Sequence, residues 1–117
     1  MLCASGISVS LFIDPDVEKL DAALCCGAPV VELHTGSYAD ASESNVEEEY
    51  QRIVSAASYG DSIGLQMNAG HGLHYGNVKR IVEIPQLVEL NIGHSIVAQA
   101  LFVGLEKAVA DMLALMK

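Results

Sequence analysis

The stretch PVVELH, residues 29–34, alternates between apolar and polar side chains. The apolar Val31 and Leu33 alternate with the polar Glu32 and His34. Because the side chains of a strand point to opposite faces in turn, this stretch predicts a β-strand with one apolar and one polar face. Three further strand-like runs occur along the chain: Ser8 to Ile13, Gly64 to Asn68, and Val88 to Ile92.

A helical pattern follows each of the four runs, so the predicted order is βαβαβαβα. Asp14 is predicted to cap the first helix, with Pro15 at its first position. The spacing Ser44-x-x-Glu47 predicts a capping box before the second helix, and a short third helix is predicted from Asn77 to Glu83. The last helix is predicted to be the longest, with one apolar face: Val97, Leu101, Leu105, Ala108 and Met112. This order favours parallel strands joined by crossover helices.

The second face of the four predicted strands distinguishes between two α/β architectures. A doubly wound sheet carries helices on both faces and is therefore apolar on both. In this chain the second face is mostly polar: Ser8, Ser10, Phe12, Asp14, Glu32, His34, Gln66, Asn68, Glu89 and Asn91. Buried polar groups need hydrogen-bond partners or a ligand, so this face is predicted to line a barrel interior. The predicted fold class is α/β, of the (β/α)8 TIM-barrel type.

A complete barrel of this type typically needs about 250 residues. The 117 residues provide four of the eight βα units, which predicts a single domain, residues 1–117, that is a half-barrel. Its first and last strands would be open edges with unpaired backbone groups, which favour aggregation or mispairing. We therefore expect another chain segment, or another copy, to close them.

The composition argues against nucleic acid and membrane as partners. The chain is 51% hydrophobic, and its 15 acidic and 6 basic residues give a formal net charge of −9. The basic residues are too scattered to form a nucleic-acid-binding stripe. Polar residues interrupt the apolar carboxyl end, and no secretory signal is apparent, so we expect a soluble, cytoplasmic protein. Cys3, Cys25 and Cys26 lack metal-binding spacing, which predicts reduced, mostly buried thiols and no metal site.

Two junctions near the carboxyl end each place a Gly/His pair between an apolar run and a helical pattern. They are NAGHGL, residues 68–73, and NIGHS, residues 91–95. Glycine lets backbone N–H groups turn toward a ligand, and the first turn of a helix adds partial positive charge. The two junctions together predict an anion-binding site, with phosphate as its ligand.

Four motifs stand in series at the ends of the predicted strands: VSLFIDPD (residues 9–16), VELHTG (31–36) with YADA (38–41) after it, NAGHGL (68–73) and ELNIGHSI (89–96). With them the chain, from Gly6 to Lys117, closely resembles the carboxyl-terminal half of the pyridoxine 5′-phosphate synthase family, strands 5 to 8 with their helices. The resemblance implies condensation of 1-deoxy-D-xylulose 5-phosphate with 3-amino-2-oxopropyl phosphate, which yields pyridoxine 5′-phosphate, phosphate and water. It also implies that no organic cofactor takes part.

The resemblance assigns roles to five residues. It implies that Glu32 stabilises the transition state and that His71 is a proton donor. It further implies that Gly72, Gly93 and His94 bind the phosphate of the aminoketone. The residues alone leave other readings open, because Glu32 suits half of a buried structural pair and His94 suits a helix-capping arrangement. Two departures from the family are Ser8, where arginine is usual, and Gly76, where histidine is usual.

The family's amino-terminal strands are absent from this sequence. In the family they carry a His and a Glu that act as proton acceptors, and most residues that hold the deoxyxylulose phosphate. Met1 falls where the family has the helix before the fifth strand. Two functions are therefore compared: half of a synthase, and an incomplete half-barrel that serves only for anion binding or assembly. Either a homo-oligomer or a separate amino-terminal half is expected as partner, and another phosphate-binding (β/α)8 enzyme is a third alternative.

Two further residues near the predicted strand ends are weighed from the sequence alone. His34 is interpreted as an orienting hydrogen-bond partner. Tyr38 lies in the segment Gly36 to Glu43, which is predicted to be either a lid over substrate or a plain connection.

Overall fold

The computed structural model of the chain describes residues 2–117, so the expectation that rested on Met1 lies outside the described residues. One sheet is formed, in the order β1-β2-β3-β4, and each neighbouring pair is parallel. Its strands are β1 (Ser10–Ile13), β2 (Val30–His34), β3 (Gln66–Gly70) and β4 (Leu87–Asn91). The predicted α/β fold, with four parallel strands as in half of a TIM barrel, is confirmed.

Helices connect the strands in the predicted alternation, with two additions. The described residues form α1 (Val17–Cys25), α2 (Gly36–Ala39), α3 (Val46–Ser62), α4 (Val78–Val82), α5 (His94–Val103) and α6 (Leu105–Ala114). A short 3-10 turn, Cys3–Ser5, precedes β1. The additions are α2 and the division of the last helix into α5 and α6.

The apolar face of the sheet packs against α1 and α3 and forms the core. Val31, Leu33 and Met67 are at most 1% exposed. Leu20 of α1 and Ile53 of α3 close over them in the same cluster. Burial of each such side chain contributes about 1.5–3 kcal/mol, so this face holds sheet and helices together.

The opposite face of the sheet carries a row of side chains that are in register across all four strands: Phe12, Glu32, Asn68 and Glu89. The Asn68 amide donates to Glu89 at 3.5 Å and accepts from Gln66 at 3.2 Å. Phe12 is 53% exposed, so this face is open within residues 2–117. It is the face for which the sequence predicted a barrel interior.

The predicted cap of the first helix is wrong. Helix α1 begins at Val17 with Asp16 at the N-cap position, and no side chain caps it. Asp14 instead contacts Lys19, and Asp16 accepts a hydrogen bond from Arg52 at 2.5 Å. The Arg52 guanidinium beside Asp16 lowers the pKa of that carboxyl. Ion pairing thus takes both carboxylates away from the helix start, because hydrogen bonds to charged partners are the stronger ones.

The predicted capping box of the second helix is also wrong. Helix α3 begins at Val46 with Asn45 at the N-cap position and no side-chain cap. The Ser44 hydroxyl donates to the Asn45 side chain at 3.2 Å, and Glu47 pairs with Arg80 of α4 at 2.8 Å. Glu47 therefore links two helices, so the arrangement differs from the reciprocal contacts of a capping box.

The segment after β2, predicted to be a lid or a plain connection, begins with a packed helical turn. Gly36–Ala39 forms α2, and Tyr38 is 4% exposed. The Tyr38 hydroxyl donates to the backbone oxygen of Asn77 at 2.8 Å. Burial raises the pKa of Tyr38, which keeps the phenol neutral and its donated hydrogen bond intact.

The single long carboxyl-terminal helix of the prediction is wrong. Gly104, at φ +84° and ψ 153°, separates α5 from α6, and only glycine adopts that conformation readily. The break divides the predicted apolar face, since Ala108 and Met112 of α6 are buried whereas Val97 and Leu101 of α5 are 59% and 83% exposed. Within residues 2–117 no helix combines the length and apolarity needed to cross a membrane.

The three thiols also differ from expectation. Cys3, Cys25 and Cys26 are free, but each is exposed rather than buried. Cys3 lies in the 3-10 turn before β1, and Cys25 and Cys26 lie at the end of α1. These positions fall outside the core, which burial statistics for cysteine cannot reveal.

Replacing Met67 by alanine should lower the free energy of unfolding by about 2–5 kcal/mol, because a buried side chain would leave a cavity under α3. Met67 packs against Gly60 of that helix. Val88→Ala is the matched control, since Val88 of β4 is 70% exposed and should change stability by less than about 0.5 kcal/mol. Urea titration of the three proteins measures both changes, and equal effects would contradict the assignment of the core face.

Candidate functional site

A pocket of about 540 Å³ opens where the strands end on the polar face of the sheet. Its walls come from strand ends, the loop after β3 and the start of α5. The lining residues are Phe12, Glu32, His71, Gly72, Leu73, His74, Asn91, Ile92, Gly93, His94 and Ser95. Ligand sites of barrels and open α/β sheets lie at this carboxyl end of the strands.

Glu32 projects from the middle of β2 and is held by its neighbours. The Asn91 amide of β4 donates to Glu32 Oε2 at 2.9 Å. Glu32 Oε1 lies over the Cα of Gly70 on β3, where any Cβ would collide with it. The carboxylate of β2 thus reaches across β3 to β4 and lines the pocket.

His71 follows β3 and has an unusual backbone. Its φ is +82°, and it is the one residue other than glycine with positive φ in the described chain. Its ring stacks on His34, with centroids 4.7 Å apart and planes 25° apart. The backbone oxygens of Gly70 and His71 contact the hydroxyl of Thr35. A strained backbone conformation held by its surroundings is common at functional sites.

His34, from the end of β2, supports the ring of His71 and contacts β1. Phe12 meets the His34 ring edge-on, with centroids 5.1 Å apart. Nδ1 of His34 lies 3.8 Å from a carboxylate oxygen of Asp14. The Lys19 ammonium beside Asp14 lowers the pKa of that carboxyl. His34 thus contacts the site by stacking on the ring of His71, whereas the sequence predicted an orienting hydrogen bond, and that role stays a prediction.

The loop after β3 is closed by Asn77. Its side-chain oxygen accepts from the His74 backbone N–H at 2.8 Å, and its amide donates to Gly72 O at 3.2 Å. Gly72 has φ +74°, and a Cβ there would meet Ala39 Cβ at 2.5 Å. Glycine is therefore required at this position for both backbone and space.

The start of α5 forms the remaining wall. Gly93 is the N-cap residue, no acidic residue lies in the first turn, and His94 is exposed at the first helical position. The Ser95 hydroxyl donates to Leu73 O at 2.9 Å, which ties this helix start to the loop that follows β3. Free N–H groups at a helix start attract anions.

Positive charge at the pocket has few sources. Among the lining residues, within the part of the chain that the structure describes, none is lysine or arginine. Lys19, in the first turn of α1, is paired with Asp14 and with Asp16, the latter at 3.5 Å. An anion in this pocket would therefore be held by backbone N–H groups, histidine rings and the dipole of α5.

All five predicted site residues line this one pocket: Glu32, His71, Gly72, Gly93 and His94. Their roles stay predictions. Sequence reasoning missed Asn91, although its position on the polar face of the predicted sheet, the face that also carries Glu32, was a usable signal. It also missed Thr35, whose contact with His71 across 36 positions has no sequence signal.

The parallel sheet, the polar inner face and the pocket at the strand ends define an α/β protein of TIM-barrel type, present here as four βα units. The model of the family described as "Pyridoxal phosphate biosynthesis protein PdxJ" matches residues 1–117. The chain belongs to this family.

Curated relatives agree with this assignment. The chain is 58% identical over 112 residues to "Pyridoxine 5′-phosphate synthase" of Photobacterium profundum, 59% to that of Aliivibrio fischeri, and 58% to that of Idiomarina loihiensis. Each match covers 95% of this chain but 46% of the relative. The chain thus spans about half the length of the curated relatives it matches.

Serine substitutions at two pocket glycines should differ in their effect on stability, because only one of the two positions requires glycine. Gly72→Ser should lower the free energy of unfolding by about 1–3 kcal/mol, because it combines positive φ with a collision at Ala39. Gly93→Ser should change it by less than about 0.5 kcal/mol, since serine is a good N-cap and a Cβ there meets nothing within 4 Å. Thermal or urea unfolding provides the measurement, and a reversed order would contradict the loop geometry.

Proposed function

We propose that this chain, strands 5 to 8 of a barrel, supplies one half of a pyridoxine 5′-phosphate synthase site. The reaction is condensation of 1-deoxy-D-xylulose 5-phosphate with 3-amino-2-oxopropyl phosphate. The observation that supports it most is one pocket lined by a fixed carboxylate, a histidine on a strained turn and an open helix start. These groups suit part of the closure of a nitrogen-containing ring between two phosphorylated substrates.

Glu32 is proposed to stabilise positive charge that develops on nitrogen. Condensation of an amine with a ketone passes through carbinolamine and Schiff-base intermediates, whose protonated forms a nearby carboxylate favours. The hydrogen bond from Asn91 at 2.9 Å and the strand beneath keep Glu32 in place before substrate arrives. A preorganised charge needs no reorientation during the reaction.

His71 is proposed to give a proton to a leaving hydroxyl as water is lost. Imidazole titrates near neutral pH, so it can donate a proton and recover it in the same cycle. The ring lies on the pocket side of the strand ends and is stacked on His34 rather than packed in the core. This placement leaves it accessible to substrate.

Gly72, Gly93 and His94 are proposed to bind the phosphate of the aminoketone. Gly93 and His94 start α5, and Gly72 is joined to this helix through the adjoining Leu73 and its hydrogen bond from Ser95. Helix-start phosphate sites after strands 7 and 8 recur in TIM barrels. Inorganic phosphate, a product of the proposed reaction, is a ligand for the same position.

The rest of the proposed site must come from another chain segment or another copy. The family's proton acceptors and most of its deoxyxylulose phosphate contacts belong to strands that this sequence lacks. Strands β1 and β4 are both free on their outer sides in the described sheet. A homo-oligomer or an amino-terminal half in the same cytosol is therefore part of this proposal.

Activity is tested by mixing the chain with a separately expressed amino-terminal half of the Aliivibrio fischeri relative and measuring pyridoxine 5′-phosphate. In this mixture His71→Ala and Glu32→Gln should each lower turnover by about two to four orders of magnitude. Glu48→Gln is the matched carboxylate control, because Glu48 is an exposed residue in the first turn of α3 and should leave turnover unchanged. Full turnover by His71→Ala would remove the proton-donor role.

Phosphate binding is tested at Gly93 with two substitutions of equal size. Asparagine and aspartate are both good N-caps, and both have room here, but only aspartate places a negative charge beside the bound anion. Gly93→Asp should bind inorganic phosphate about tenfold more weakly than Gly93→Asn, as titration calorimetry would show. Equal affinities for the two variants would place the phosphate elsewhere.

A second candidate function is an anion-binding or assembly module without catalysis. The exposed apolar side of α5, with Leu101 83% and Phe102 85% exposed, and the two free sheet edges favour it. In that case phosphate would raise the unfolding temperature, while the mixture with the amino-terminal half would form no pyridoxine 5′-phosphate. Product from the mixture would exclude this candidate.

A further inference from the structure

Thr35 lies one residue beyond β2 and is directed at the backbone that follows β3. It is fully buried and does not line the pocket. Its amide N–H donates to Gly70 O at 2.9 Å. Its hydroxyl lies 2.7 Å from Gly70 O and 2.6 Å from His71 O, so one proton is shared between two acceptors.

The two carbonyl groups belong to the two peptide planes that flank His71. The orientation of the Gly70 carbonyl depends on the φ of His71, and that of the His71 carbonyl depends on its ψ. When both oxygens are held at a single hydroxyl, the two torsions are fixed together. Thr35 therefore determines the backbone conformation of a residue 36 positions away.

This conformation is one that His71 would not adopt unaided. Positive φ brings Cβ close to backbone oxygens and is unfavourable for every residue except glycine. His71 is the one non-glycine residue of residues 2–117 that adopts it, at +82°. With positive φ the ring lies against His34 on the pocket side.

We propose that Thr35 is a positioning residue for His71, which it aims into the pocket by clamping both adjoining peptide planes. This inference rests on the proposed function only for its effect on turnover. The clamp itself is a property of the chain and can be measured without substrate. Thr35 does not line the pocket, so any effect that it has on the reaction acts through His71.

The test compares Thr35→Val with Thr35→Ser. Valine has the shape of threonine without the hydroxyl, whereas serine keeps the hydroxyl and loses a methyl group. In nuclear magnetic resonance spectra of the chain alone, the Cα shift and the amide-to-α proton coupling of His71 report its φ. Both should change in Thr35→Val and stay near the wild-type values in Thr35→Ser. Unchanged values in Thr35→Val would overturn the proposal.

Turnover in the reconstituted mixture gives the second measurement. Thr35→Val should lower kcat by about 100-fold, the effect of misplacing a catalytic group by about 1 Å, with KM changed by less than about threefold. Thr35→Ser should restore most of kcat. Equal losses in the two variants would show a packing role instead and overturn the proposal. Thr35→Cys, with a poorly donating thiol, replaces Thr35→Val if valine prevents folding.

A double-mutant cycle with His71→Gly keeps this inference separate from the proposed function. Glycine adopts positive φ without strain, so the substitution relieves strain only where Thr35 imposes it. His71→Gly should therefore change the free energy of unfolding more favourably in the wild-type chain than in the Thr35→Val variant. Additive effects would overturn the clamp. Full turnover by His71→Ala together with a non-additive cycle would instead reject the catalytic role and retain the clamp.

Discussion

The alternation of apolar and polar residues in four short parallel strands is the constraint on which the rest of the structure depends. Val31, Leu33 and Met67 on one face give α1 and α3 a surface to cover. The same alternation directs Glu32 and Asn68 to the other face. A shift of one residue in a strand would exchange the two faces, so core and pocket are specified by a single pattern.

The pocket is built from strand ends that hold one another. Asn91 of β4 holds Glu32 of β2 across the strand between them, and Ser95 ties α5 to the loop after β3. Tyr75 in that loop donates to Ala108 O of α6 at 2.7 Å, so the carboxyl-terminal helices are anchored to the same wall. The pocket's polar groups are therefore oriented by backbone and neutral side chains, while four cations pair with surface carboxylates: Lys19, Arg52, Arg80 and Lys107.

The sequence predicted the elements that depend on local pattern and missed those that depend on distant contacts. Four strands, their parallel order and the polar face follow from alternation within a few residues. The predicted cap at Asp14 failed because its carboxylate contacts Lys19, and the predicted capping box at Ser44 failed because Glu47 pairs with Arg80. Gly104 carried a usable signal, since glycine inside a helical pattern favours a break. The five candidate site residues were predicted from family motifs, whereas the proposed clamp at Thr35 joins two segments that only the fold brings together.

The outer sides of β1 and β4 are both free in the described sheet, and they are different surfaces of one molecule. Two copies that pair one of these surfaces with the other are therefore arranged head to tail. Pairing of β4 in one copy with β1 in the next is a head-to-tail contact, which leaves the same two surfaces free at the ends. If the rotation between copies closes after two, eight parallel strands form a ring. If it does not close, the same pairing continues into an open filament. The edge that allows a barrel to be completed is thus also the edge through which polymers would grow.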